Sequence, residues 1–286
     1  MGTVIEEIQN AARAVSDNAK QYFDMRAAIQ ALLSTLRKPL TAELTLYVQT
    51  TGSDTNNGLA NTPAGAFKTI QAAVFAALYS YDAGRYKITI QVGDGRHAGF
   101  AVGRAPGVAI DVIGNLLNPA ACIIDGAAAA AVQSRNGSAL TLMGFRILSA
   151  TGDGLLADDR STIAFDKCEF GCGGSAIVAS QSSSILCFGQ FGIVGGGQNF
   201  MVAASNSTVN ITGAVVTLSG TPNFSQYFAW GNNGFIGVFG VTFRGTGATG
   251  VRYNADVTGL VFTGAAGANF LPGSIAGSTS TGGLYV

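Results

Sequence analysis

One spacing recurs along the chain and restricts what it can fold into. Apolar side chains at Leu140, Leu142, Phe145 and Ile147 fall two, three and two residues apart. The same intervals return at Ile163, Phe165, Cys168 and Phe170, at Val209, Ile211, Ala214 and Val216, and at Ile236, Val238, Val241 and Phe243. An interval of two is the strand period, so each copy predicts two short strands with one face inward. The interval of three inserts a residue between them and demands a bend. Gly144, Gly189, Gly213, Gly240 and Gly259 are expected there, with Lys167 in the same place in the second copy. Glycine accepts left-handed backbone without steric cost. The bends are 23, 22, 24, 27 and 19 residues apart, a solenoid period. A further copy fits at Ile185 and Cys187, then slips by one residue to Phe191 and Ile193, as a bulge would cause. The expected fold is mainly β, a single-stranded parallel β-helix. An up-and-down barrel alternates too, but has no reason to repeat this module.

Residues 1–40 read differently. Ile8, Val15, Tyr22, Ile29 and Leu36 are spaced by seven, with Val4, Ala11, Asn18, Met25 and Leu32 between them. A strict period of seven predicts a coiled-coil stem, because a surface helix drifts toward 3.6. Asn18 would fix register at some cost in stability, and Pro39 ends the helix. These heptads are the expected trimerisation seam, although their spacing alone also fits a dimer.

Residues 41–263 are read as the solenoid. It opens with a strand at Leu44, Leu46 and Val48, a turn-rich run Gly52–Gly58, and an amphipathic helix presenting Ile70, Ala73, Val74, Ala77 and Leu78. That helix is expected to cap the first turn, whose open end would otherwise expose apolar side chains and strand edges. Val108, Ile110 and Ile113 read as the first copy of the repeat. Residues 264–286, glycine-rich and polar, are expected to run extended along an oligomer.

Leu46-Tyr47-Val48, Gly52-Ser53-Asp54, Asn57-Gly58 and Phe67-Lys68-Thr69-Ile70-Gln71-Ala72-Ala73 together resemble the N-terminal lead-in of bacteriophage tailspike and tail-fibre proteins with a pectate-lyase-like β-helix. The ending Pro272-Gly273-Ser274, Ala276-Gly277 and Thr281-Gly282-Gly283 also resembles tails of phage particle proteins. The resemblance spans about 44–286. It implies a right-handed helix, a homotrimer, and attachment to other virion proteins through the N-terminus. It implies no chemistry, since catalytic residues differ between members and no shared motif appears here.

Charged residues make up only 11% of the chain and sum to zero net charge, so no basic stripe exists to collect phosphates and nucleic acid is not an expected partner. No apolar run approaches the roughly 20 residues that span a bilayer, so membrane insertion is not expected. Cys122, Cys168, Cys172 and Cys187 show no metal-ligand pairing with the sole histidine, His97; Cys168 and Cys187 read as buried hydrophobes. No metal or cofactor is expected. Gly93-Asp94-Gly95-Arg96-His97-Ala98 outlines a dinucleotide fingerprint, but strand and turn residues follow where a helix should.

Two groups remain as candidate sites. Asp153, Asp158, Asp159, Asp166 and Glu169 fall on adjacent turns; paired carboxylates are what a glycosidase needs, with Asp166, Glu169 and Asp158 the weak catalytic candidates. Tyr227, Phe228 and Trp230, beside Asn232 and Asn233, fall in the longest insertion between copies. Tyr227, Trp230, Asn232 and Asn233 are the binding candidates, as aromatic faces with amides to hold a sugar. The alternative is that Phe228 and Trp230 pack a subunit seam. The leading expectation is a virion fibre or spike, displayed on the particle, that binds bacterial surface polysaccharide. The alternatives are a depolymerase of capsule or lipopolysaccharide, and a purely structural decoration or adaptor protein.

Overall fold

The computed structural model describes residues 2–35, 37–103 and 109–286. Its strands stack in parallel as a β-solenoid of about eight turns. Each full turn carries three strands, one more than the repeat predicts. The first sheet has ten strands, from Leu44–Val48 to Leu284–Tyr285. The second has seven, from Gly95–Ala98 to Thr242–Gly245, and the third has eight, from Phe100–Val102 to Ser278–Thr279. Repeat positions stack in register: Leu140 lies between Ile110 and Ile163, and Leu142 between Val112 and Phe165. Thus Val112, not Ile113, is the inward partner of Ile110; Val108 lies outside the described residues.

The third strand escaped the periodic reading because its inward columns are diluted by small residues. One column runs Leu155, Ile177, Met201, Ala229, and the next Ala157, Ala179, Ala203, Gly231. This sheet widens along the solenoid, from three residues at Leu155–Ala157 to ten at Asn223–Asn232. Tyr227, Phe228, Trp230 and Asn232, expected in a long insertion, are therefore strand, and Asn233 follows at the corner. Phe228 is fully buried in the core, not on a subunit seam. It belongs to a file of rings, Phe165, Phe170, Phe191, Phe200, Phe228, Phe243 and Phe270, with successive centroids 5.0–5.9 Å apart. Each such pair adds about 0.5–1.5 kcal/mol beyond its buried area.

The expected bends divide into two kinds. Gly144, Lys167, Gly213 and Gly240 are left-handed at the corner between first and second sheets (φ 76°, 52°, 75° and 67°). Gly189 is not left-handed; a Cβ there would fall 2.2 Å from the Asp166 carboxylate. Gly259 belongs to the opposite corner, between third and first sheets, and follows the left-handed Val257 and Thr258.

The first turn is covered by helix α2, Ile70–Phe75, which continues as a wider π turn over Ala76–Ser80. Its expected face, Ile70, Ala73, Val74, Ala77 and Leu78, is buried. The lead-in motif latches this helix. Asp54 accepts the N–H groups of Lys68 (2.9 Å) and Thr69 (2.8 Å) and the Thr69 hydroxyl (2.9 Å). The Thr69 hydroxyl in turn accepts the Ala72 N–H as N-cap. Gly52 passes where a Cβ would come 2.5 Å from the Ala66 and Phe67 carbonyl oxygens.

At the other end the ladder crosses the boundary expected at 263. Ser278–Thr279 pairs with Asn254–Ala255, and Leu284–Tyr285 with Leu260–Val261. Tyr285 stacks on Tyr253 at 3.8 Å. The C-terminal residues, expected to run extended along an oligomer, pair with their own chain as a last partial turn.

The N-terminal helix, α1, spans Gly2–Thr35, about 50 Å at 1.5 Å per residue. Every side chain from Thr3 to Ile29 is exposed, including Ile8, Val15, Tyr22 and Ile29 of the heptad seam; Leu36 lies outside the described residues. Lys38–Pro39 then pairs in parallel with Tyr81–Asp82 beside the cap.

Candidate functional site

The solenoid scatters the acids over different corners and gathers most of the aromatic group on the third sheet. Asp166 ends the first-sheet strand Thr162–Asp166, and Glu169 points outward from the second-sheet strand Cys168–Cys172. Asp158 sits at the far corner, between the third and first sheets. The acids therefore do not form one group.

Each of these carboxylates has a structural partner. Asp166 accepts the Gln190 N–H (2.7 Å) from the next turn. Glu169 lies in register with Arg146 and accepts its Nε (2.7 Å). Asp158 accepts the Asp159 N–H (2.9 Å) and the Ser180 hydroxyl (3.1 Å). Asp153 accepts the Ser175 N–H (2.8 Å), and Asp159 faces Arg160 at 3.6 Å in solvent. Those of Asp166, Glu169 and Asp153, and the Asp158–Ser180 bond, are rungs that tie one coil to its neighbour, whereas the Asp158–Asp159 and Asp159–Arg160 contacts are local to one corner. Another such rung joins Arg96 to Asp125; the Ala127 N–H and the Arg96 guanidinium hold that carboxyl below its usual range, against the opposing effect of partial burial.

The aromatic candidates converge better. Tyr227 and Trp230 are half-buried on the third sheet where it is widest, with ring centroids 6.1 Å apart. A two-residue bulge before Tyr227 shifts the register. The buried Asn199 holds it: its Oδ1 accepts the Tyr227 N–H (3.1 Å), while its Nδ2 reaches Ser175 and Gln226. Trp230 stacks in register between Val202 and Asn254, and Asn232 beside Asp256. The Trp230 Nε1 donates to Asp256 Oδ1 (3.3 Å), and Asn254 Nδ2 donates to Asp256 Oδ2 (3.1 Å). Asn233 sits apart, exposed and left-handed at the corner, lining a groove with Asn206 and Phe235. Asn254 and Asp256 were not anticipated. They join this face from the following turn, and only stacking the sequence turn on turn would bring them beside Trp230 and Asn232.

The four cysteines are free and buried. Burial pushes the Cys122, Cys168 and Cys172 thiols up to about 12 and Cys187 to about 11, so they are neutral packing groups near neutrality. Among the described residues no three His, Cys, Asp or Glu side chains are placed to hold a metal ion, and no helix is long and apolar enough to cross a membrane. Comparisons of the chain with protein-family models, curated proteins and solved structures give no match.

Proposed function

We propose that this chain is the subunit of a homotrimeric virion fibre or spike that binds bacterial surface polysaccharide without cleaving it. The observation that carries the binding reading is the outer face of the widened third sheet. There Tyr227 and Trp230 present aromatic surface bordered by Asn232, with Asp256 and the buried Asn254 bracing the indole from the next turn. Aromatic faces take the apolar side of a sugar ring, while the Asn232 amide takes its hydroxyls. The exposed heptad seam of α1 supports a parallel coiled-coil stem. The lead-in and tail motifs support display on a phage particle, attachment through the N-terminus and a right-handed solenoid. Binding is favoured over cleavage because the candidate acids are engaged in ties between turns and at corners and do not converge.

Size-exclusion chromatography of host surface polysaccharide with the protein tests this. Intact polysaccharide should co-elute with the wild type, and Trp230→Ala should weaken that binding about tenfold, as loss of an aromatic anchor does. A shift to smaller fragments would make the protein a depolymerase. Intact polysaccharide with no co-elution would leave a structural decoration role.

A further inference from the structure

A second surface is built on the second sheet, beside its corner with the first. The outer face of the second sheet floors a groove of about 310 Å³, walled by the loop 114–121. This is at the small end of ligand sites, which run roughly 300–1,000 Å³. The wall is fixed: Asn115 Oδ1 accepts the N–H groups of Leu117 (3.1 Å) and Asn118 (2.8 Å), while its Nδ2 donates to Asp94 (2.9 Å). It holds Leu117 98% exposed at the groove. Gln190, Thr217, Lys167 and Glu169 line it, the first two exposed and the last two part-buried.

Lys167 is the informative residue. The other left-handed residues at this corner are Gly144, Gly213 and Gly240. Lysine is the one side chain among these four, and it places a cation at the groove where the neighbouring turns carry glycine. No carboxylate pairs with Lys167 among the described residues. The two nearest in sequence are occupied, Asp166 by the Gln190 N–H and Glu169 by Arg146. The groove therefore offers one uncommitted cation, an amide, a hydroxyl and an apolar wall.

We propose that this groove binds an acidic sugar, with the uronate-type carboxylate on Lys167, the hydroxyls on Gln190 and Thr217, and the ring's C–H face against Leu117. The inference rests on the glycan-binding reading and adds to it a second subsite and a charge preference. Calorimetric titration of the full-length protein with a hexuronate trisaccharide, against the corresponding neutral trisaccharide, tests it. The uronate should bind, the neutral sugar at least tenfold more weakly, and added salt should weaken the uronate alone. Lys167→Gln should reduce uronate affinity about tenfold. Lys167→Gly should do the same while melting no lower than the wild type, which separates ligand contact from a structural role. Equal binding of both sugars, no uronate binding, or uronate affinity unchanged in both Lys167 variants would overturn the proposal. Host polysaccharide co-elution, weakened in Trp230→Ala and measured separately, reports on the broader reading.

Discussion

Substituting Val15 by aspartate tests whether the stem is a subunit interface. Along α1, Ile8 is 64% exposed, Val15 69%, Met25 57% and Ile29 49%. Fully burying such a side chain is worth about 1.5–3 kcal/mol, so each would contribute roughly 1–2 kcal/mol on association. Association itself costs about 4–15 kcal/mol, so several rungs of the seam must close together before the oligomer forms. An aspartate at Val15 removes one rung and brings like charges together at the axis; an uncompensated buried charge costs about 3–5 kcal/mol. Sedimentation equilibrium at micromolar concentration should give three chain masses for the wild type and a shift toward one for Val15→Asp. The β signal of the solenoid should melt within about 0.5 kcal/mol of wild type, the range for a surface change, because the described side chains of α1 from Thr3 to Ile29 are solvent-exposed. A wild type of one chain mass, or a Val15→Asp variant that keeps the wild-type mass, would refute the seam.

Two other perturbations probe the solenoid. Asp54→Ala removes the acceptor of three hydrogen bonds at the start of α2; bonds to a charged group are worth about 1.5–3 kcal/mol each and are not additive, so a loss of about 2–3 kcal/mol is expected in urea titration. The thiols predict a pH dependence. Their folded values, about 11 to 12, exceed the ordinary 9.0, so the folded chain holds its protons more tightly. Their stabilising effect is complete below pH 9 and is lost as pH rises toward about 12, by about 1.4 kcal/mol per thiol per pH unit at most. The urea midpoint should fall steeply above pH 9, and a thiol reagent at pH 8 should label the chain only after unfolding.

Much of the solenoid was legible because its first two strands obey a hard steric rule. Leu142, Phe165, Ile211 and Val238 had to face inward, and all are buried. The cap was legible from its helical period, Ile70, Ala73, Val74, Ala77 and Leu78, all buried; the latch of Asp54 on Lys68 and Thr69 at its start was not, because it joins residues 14 and 15 apart through a loop. The third strand was not, since Ala157, Ala179, Ala203 and Gly231 carry little hydrophobic signal where close packing leaves room only for small side chains. The candidate site was half legible. Trp230 and Tyr227 stand out by residue type, but Asn254 and Asp256 reach them only through pairing with the next turn. The acids were misleading because proximity in sequence does not convey that Asp158 and Asp166 lie at different corners.

The corner between third and first sheets decides where the wide face can form. In the middle turns it holds the buried Ser161, Ser183 and Ser207, where the Ser161 N–H donates to Ser183 Oγ (3.0 Å) and the Ser183 N–H to Ser207 Oγ (3.1 Å). Later turns place Gly234, Gly259 and Gly283 there, each with a carbonyl oxygen 2.1–2.5 Å from where a Cβ would sit. The switch from serine to glycine comes as the third strands reach eight and ten residues. At these corners the carbonyl of the strand one turn below occupies the space a side chain would need. Gly234→Ala would meet the Ala203 carbonyl oxygen at 2.5 Å and its carbon at 2.6 Å, backbone atoms that cannot rotate away. Overpacking of this kind costs about 1–3 kcal/mol, and relief means displacing either the corner that leaves the Trp230 strand or the Ala203 segment on which that strand stacks. Gly234→Ala should therefore lower the urea midpoint and weaken polysaccharide co-elution together. Gly213→Ala, with nothing within 4 Å of its Cβ, should show only the cost of its left-handed backbone and leave binding intact. Equal effects of the two substitutions on binding would break the link between corner and face.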